Sequence, residues 1–268
     1  MSAYGKCESM PESPQMPRNI PALGMSRWKA SGIHLMLSAA IAAGLVTLML
    51  TVWYPWPLFE AAGGNGLALL TVAVNVVLGP LLTLIVFRSG KKGMKFDLLF
   101  IAALQLAALA YGVYAVFVAR PAYLVFTIDR FNLVPAIALD PADLAKVKDK
   151  RFKSPPLGGP QYVAAVFPPD PAERMKILMS ALAGKDLNLY PQYYVSYEQE
   201  ARDALKRAKP LGTLLKRYPA AIENYLRSSG RPEQSVKYLP LRARSRDGVV
   251  LLDSVSGMPL KILLLNPW

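Results

Sequence analysis

The sequence predicts a membrane protein in which three transmembrane α-helices precede an α+β domain with a C-terminal antiparallel β-meander. Three observations predict it. Between Ile33 and Ala119 only Glu60, Arg88, Lys91, Lys92, Lys95 and Asp97 are charged, in a chain of 268 residues that is 53% hydrophobic. From Arg120 onward 23 Lys and Arg stand against 14 Asp and Glu, the composition of chain in contact with water. Near its end, apolar runs are interrupted by Asp247-Gly248 and Ser256-Gly257, residue pairs that turn one antiparallel strand into the next.

Residues 1–24 contain Pro11, Pro14, Pro17 and Pro21 with no apolar periodicity, which predicts a disordered tail without a signal-peptide core. Met25 opens MSRWKAS, which reads as a start in its own right. The apolar runs 33–53, 67–87 and 98–119 follow, each free of charge. A bilayer core about 30 Å thick takes about 20 helical residues, so each run is long enough to span, making 25–119 a three-span domain. Soluble core helices are shorter and keep a polar stripe. Trp28 stands before the first run and Trp53, Tyr54, Trp56 and Phe59 at its end, where an interfacial belt belongs.

The connection 54–66 holds Glu60 and no basic residue, whereas 88–96 holds Arg88, Lys91, Lys92 and Lys95. Lys and Arg accumulate in short cytoplasmic loops, which predicts a cytoplasmic N-terminus and, after three crossings, an external 120–268 domain. Asn75 and Gln105 lie inside the second and third runs and require hydrogen-bond partners there, within this protein's bundle or on a partner helix. Gly79-Pro80 predicts a bend that frees the carbonyl of Val76. His34 falls at the cytoplasmic edge of the first run and reads as an interfacial anchor.

In the C-terminal part, YLVFTIDRFNLV from Tyr123 reads as a strand and Gln161–Phe167 as another. Asp140-Pro-Ala-Asp143 and Asp170-Pro-Ala-Glu173 place an acceptor at N-cap, Pro at N1 and an acid at N3, which starts a helix. Ser196 to Gln199 is a capping box whose helix Pro210 ends. Leu211, Leu214, Leu215, Tyr218, Ile222 and Tyr225 mark an apolar helical stripe restarted at Pro219. KVKDKRFK supplies Lys146, Lys148, Lys150, Arg151 and Lys153, either a solvated face or a surface for lipid phosphates or an acidic partner. Nothing around that run resembles a nucleic-acid recognition fold.

One cysteine, Cys7, and one histidine, His34, leave no material for an intrachain disulfide, a Cys/His metal cluster or a Ser-His-Asp triad in the domain. Arg88-Ser-Gly-Lys-Lys-Gly93 lacks the spacing of a phosphate loop. Carboxylates such as Asp129 and Asp253 could meet only through tertiary structure. No catalytic, cofactor or metal residue is assigned.

The ordered set RWKASGIH, VWYP, VLGPLLTLIVF, KFDLLFIAALQLAALAYGVY, ARPAYLVFTIDRF, SPPLGGP, YPQYYVSYEQEA and YLPLRAR…VVLLD…SGMPLKILLLNPW resembles TfpX/TfpZ-type type IV pilin accessory proteins. It covers Met25 to Trp268; residues 1–24 lie outside it. The resemblance implies a multi-pass inner-membrane protein with a periplasmic C-terminal domain. Its implied role is that of a non-enzymatic helper, without cofactor, that stabilises the membrane-anchored pilin or promotes its assembly. The implied partners are the major pilin, inner-membrane lipids and other pilus assembly components, with no nucleic acid. The spans, with Asn75, Gly79, Pro80 and Gln105, would shelter the pilin helix and the basic domain would hold the pilin head. A pilin carries a glutamate near its mature N-terminus that Asn75 could bond, but Asn75 lies about 12 Å from the periplasmic end and that glutamate near the cytoplasmic one. The rival reading is an inner-membrane sensor or transport component whose external domain binds a ligand.

Overall fold

A computed structural model of the chain describes residues 26–66, 69, 73, 77, 79–86 and 94–268. Helix α1 (Arg27–Leu48) starts at Ser26, whose hydroxyl accepts from Lys29 N–H, and its end widens into a π-helical turn, Met49–Trp53. A one-turn helix, α2 (Leu58–Ala61), follows. Then come α3 (Gly79–Val86) and the long α4 (Met94–Val118).

Among the described residues, two helical segments are long and apolar enough to cross a membrane, Arg27–Trp53 and Leu99–Val118. The expected third span is not supported. Within 67–87, the described continuous helix is the eight-residue α3, only about 12 Å of helical rise. Proline at the second position of α3 lacks the N–H an uninterrupted helix would use, and glycine before it is a poor helix former. The tail 1–24, Asn75, the Val76 carbonyl and the loop cations Arg88, Lys91 and Lys92 lie outside the described residues.

The C-terminal domain is built on a mixed sheet of eight strands. Its strands are β1 (Pro121–Thr127), β2 (Arg130–Pro135), β3 (Gln161–Ala165), β4 (Tyr194–Ser196), β5 (Lys209–Pro210), β6 (Val236–Arg242), β7 (Gly248–Asp253) and β8 (Pro259–Leu263). They run in the order β4-β3-β1-β2-β6-β7-β8, with β5 beside β6. β6, β7 and β8 form the antiparallel series expected from their turn residues. That series is one end of a larger sheet in which β1 pairs β3 and β2 pairs β6 in parallel, so the predicted arrangement needs correction. Parallel pairings join strands distant in sequence, and local turn signals carry no trace of them.

YLVFTIDRFNLV is likewise a hairpin rather than one strand: Thr127 pairs Arg130 across Ile128 and Asp129, with Ile128 left-handed at φ 48°. All seven residues of β1 are buried, because the strand is covered on both faces. Leu124 and Phe126 join Phe131, Leu239, Leu241, Val250 and Leu252 on one side, beneath α7 (Tyr197–Arg207). Tyr123 and Val125 join Val163, Phe152 and Tyr194 on the other, against Ile177 of α6 (Pro171–Leu182). A third apolar cluster packs α8 (Gly212–Arg217) and α9 (Pro219–Ser229) on Tyr238, Val249 and Leu251.

Two of the three expected caps form, and the third does not. Asp140 accepts from Ala142 N–H at 2.8 Å, opening α5 (Pro141–Leu144), and Asp170 accepts from Ala172 N–H at 3.0 Å, opening α6. Ser196 precedes α7 without capping it; its hydroxyl instead accepts from Arg151 at 2.8 Å. Gly257, in the β7–β8 turn, has φ +75°, and a Cβ there would stand 2.4 Å from the carbonyl oxygen of Ala201. Its own carbonyl accepts from the buried Tyr197 hydroxyl at 2.7 Å. Gly257→Ala is therefore expected to destabilise the domain by about 2 kcal/mol, from the left-handed penalty plus the clash. Chemical denaturation of the full chain measures this, and an unchanged midpoint would contradict it.

Candidate functional site: a helix groove and a helix–domain junction

Helices α1 and α4 run in the same direction and are fastened to each other where they meet the domain, while α3 packs against both at the other end. Trp53 and Phe117 stack edge-on with ring centroids 5.3 Å apart, and the Tyr54 hydroxyl donates to Val116 O at 2.9 Å. Near the other end, polar groups from α1, α3 and α4 converge. Ser31 donates to Pro80 O at 2.9 Å, His34 Nδ1 lies 2.7 Å from Thr83 Oγ1, and Thr83 donates back to Gly79 O at 3.1 Å. The Gln105 amide covers Gly79 so closely that an added Cβ would fall 1.7 Å from Nε2, with His34 Nε2 at 3.2 Å.

Gly79, Pro80 and Gln105 are thus brought together. Sequence reasoning missed Ser31, Thr83 and the inward position of His34, which is a bundle contact rather than an interfacial anchor. Ser31, His34 and Ser38 share one helical face, a periodic polar signal inside an apolar run. Between α1 and α4, this cluster floors a groove of about 420 Å³ whose walls include Ile33, Leu37, Ile41, Ile101, Leu106 and Leu109. Ile33, Leu37 and Leu106 are each at least 60% exposed, so the groove opens sideways out of the helices.

At the opposite end, α2 forms part of the domain. Leu58 and Ala61 enter the same apolar cluster as Leu124, Leu241 and Ile262. Ala61 O accepts from Ser245 N–H at 3.0 Å and Arg246 N–H at 3.3 Å, and Glu60 pairs with Arg246. Beside α2 lies a cavity of about 740 Å³ whose lining includes Trp56, Glu60, Tyr162, Arg246, Lys261 and Leu264.

Arg120 locks the helix exit. It is buried, and donates through Nε and Nη2 to Pro156 O at 3.1 and 2.8 Å and through Nη1 to Phe117 O at 2.6 Å. Burial lowers its pKa, and burial pushes the nearby Tyr54 and Tyr123 hydroxyls up to about 12. Both tyrosines therefore stay protonated, as donors to Val116 O and to Ser154 O at 3.2 Å.

The basic run is divided by its own packing. Val147 and Phe152 turn into the core, which leaves the five cations exposed around them. Lys146 pairs with Asp143 at 2.8 Å, and Arg151 pairs with Asp149 at 2.7 Å. Among the described residues Lys148, Lys150 and Lys153 make no ion pair. Burial opposes ionisation of Asp143, but Lys146 and Lys185 outweigh it and hold the carboxyl below its usual range. Asp129 pairs with Arg130 and Asp253 with Arg231, so these two carboxylates do not form a dyad. Among the described residues no three His, Cys, Asp or Glu side chains are grouped to hold a metal.

The model of the family described as "Fimbrial assembly protein FimB" matches residues 24–63, which contain α1 and α2. The fimbrial assembly protein of serogroup I from Dichelobacter nodosus is 32% identical over 244 residues, 84% of this chain and 90% of that protein. The serogroup E1 protein is 31% identical over 234 residues, with the same shares. The protein of serogroups C1 and C2 is 39% identical over 108 residues, 40% of this chain and 82% of its own length. No solved structure matches the chain.

Proposed function

The chain belongs to the fimbrial assembly protein family, and from that premise we propose that it is a non-enzymatic accessory factor that holds a membrane-anchored pilin before assembly. The observation that carries this reading is the open groove between α1 and α4. Its walls are apolar, with Ile33, Leu37 and Leu106 standing exposed, as suits an apolar helix lying alongside, and its floor offers His34 and Gln105 as hydrogen-bonding groups. In hydrocarbon such groups favour a partner that brings a polar side chain to them.

The depth suits this reading better than Asn75 does. His34 stands seven residues after Arg27, about 10 Å along the helix axis, in the half of α1 next to Arg27 and Lys29. With those cations at the cytoplasmic face of the inner membrane, the domain at the far end of α1 and α4 is periplasmic. A pilin glutamate near the cytoplasmic side would then reach His34 or Gln105, while the pilin head meets the domain near the junction cavity.

Ile33→Trp with Leu37→Trp fills the groove without touching the domain. Pilin recovered with the tagged full chain from detergent-solubilised membranes should fall about tenfold, a loss of ~1.4 kcal/mol. Equal recovery with the groove filled would remove the groove from the mechanism. No pilin recovered with the unmodified chain would remove the pilin.

A further inference from the structure

The end of the domain where α1 and α4 leave it carries exposed apolar side chains on three separate segments. The first is 54–57, directly after α1, with Trp56. The second is 136–138, fixed by the Ala136 N–H bond to Arg120 O at 2.9 Å, with Ile137. The third is 153–159, held by Arg120 at Pro156 O and by Gly159, where an added Cβ would stand 3.2 Å from Val52 O. It carries Leu157.

Trp56 is 72% exposed, Ile137 66% and Leu157 75%. Holding large apolar groups out into water forgoes about 25 cal/mol for each Å² left unburied. Here rigid contacts present all three at one end of the domain rather than tucking them under it. Residues 150–160 add Lys150, Arg151 and Lys153 and no acid.

We propose that this end of the domain is a membrane-seating surface, with Trp56, Ile137 and Leu157 inserted at the headgroup level and Lys150 and Lys153 on the phosphates of anionic lipids. It rests on the reading of α1 and α4 as membrane helices. The occupant follows from continuity. Trp53 and Val118 end the two apolar segments, and the three side chains sit on segments bonded to residues within two or three positions of those ends. A bilayer surrounding the segments therefore meets this face first. Tryptophan beside cations is the composition of a water–lipid boundary. Seated in this way, the domain has a fixed tilt, and the junction cavity beside Trp56 opens at the level where a membrane-anchored partner emerges.

The test uses the full chain with Cys7→Ser, reconstituted in nanodiscs of phosphatidylcholine and phosphatidylglycerol with brominated acyl chains. An environment-sensitive fluorophore is placed in turn at Leu157→Cys, Val255→Cys and Tyr111→Cys. Val255 is 86% exposed, in the turn at the far end of β7 from Gly248. Tyr111 is 73% exposed within α4. The expected result is strong quenching and a blue shift at positions 111 and 157, with neither at 255. Quenching at 111 with position 157 behaving like 255 would overturn the seating surface while leaving the membrane helices intact. An unquenched label at 111 would overturn the membrane reading and the seating surface together.

Discussion

Leu58→Ala should lower the stability of the C-terminal domain by about 2–3 kcal/mol, although Leu58 precedes that domain's first strand and follows a membrane-length helix. Leu58 is only 3% exposed and packs in the cluster that contains Leu124, Phe126, Leu239, Leu241 and Ile262. Truncating it removes methyl groups from this core. The cost falls toward the lower part of the range for a buried leucine because Leu58 also borders the 740 Å³ junction cavity, so water reaches part of the space vacated. The neighbouring Glu60–Arg246 pair contributes less, since both side chains are partly exposed and such pairs are worth about 1 kcal/mol or less. Apolar burial, not the ion pair, holds α2 on the domain.

Denaturant unfolding of the full chain in detergent, followed by near-ultraviolet circular dichroism, measures the effect. A fragment beginning at Arg120 lacks Leu58 and Ala61 altogether. It should melt earlier and bind a hydrophobic dye. A fragment as stable and as cooperative as the full chain would show that α2 is not structurally part of the domain.

Replacement of Arg120 by methionine should cost about 3 kcal/mol, with the lysine variant recovering only part of it. The guanidinium is buried at 4% exposure, donates three hydrogen bonds to two carbonyl oxygens and lies 3.8 Å over the Phe117 ring. Two terms oppose each other. Methionine relieves the desolvation of a charge, but it leaves Pro156 O without its two donors, at about 1–3 kcal/mol for a buried group, and Phe117 O with only the long bond from the backbone N–H of residue 120 at 3.4 Å. The second term wins because two of the three side-chain bonds go to Pro156 O and the guanidinium ties the end of α4 to the segment 153–159. A lysine ammonium keeps the charge but cannot reproduce the planar fork that serves Pro156 and Phe117 at once. Hydrogen exchange should rise selectively in 153–159. Unchanged exchange there in the methionine variant would show that the segment is held by other contacts.

Much of the site was partly legible in the sequence. Gln105 and Gly79-Pro80 stood out as polar and bent points within apolar runs, and the structure brings them together. The place of His34 near a span edge suits an interfacial anchor, whereas its helical periodicity with Ser31 and Ser38 marks the polar face that turns into the bundle. The Thr83 partner could not be found, because a threonine in a helix usually bonds its own backbone, as Thr47 and Thr51 do here. The connection 54–66 looked like a short loop with an aromatic belt. Only the fold shows that Leu58 and Ala61 lie in the core while Trp56 stays outside. The five cations from Lys146 to Lys153 looked like one surface, yet Val147 and Phe152 anchor the run and aspartates engage two of the five.

The sequence by itself determined the apolar helices built on the runs 33–53 and 98–119, the caps at Asp140 and Asp170, the antiparallel C-terminal strands and the family. Each is written in a short window: an unbroken apolar run, an acceptor one residue before proline, a turn pair between strands, an ordered set of local motifs. The tertiary structure alone decided the hairpin at Ile128, the parallel pairings of β1 with β3 and β2 with β6, the lock at Arg120 and the membership of α2 in the domain core. These depend on contacts between segments far apart in the chain, whose free energy comes from joint burial and leaves no periodic mark on either partner.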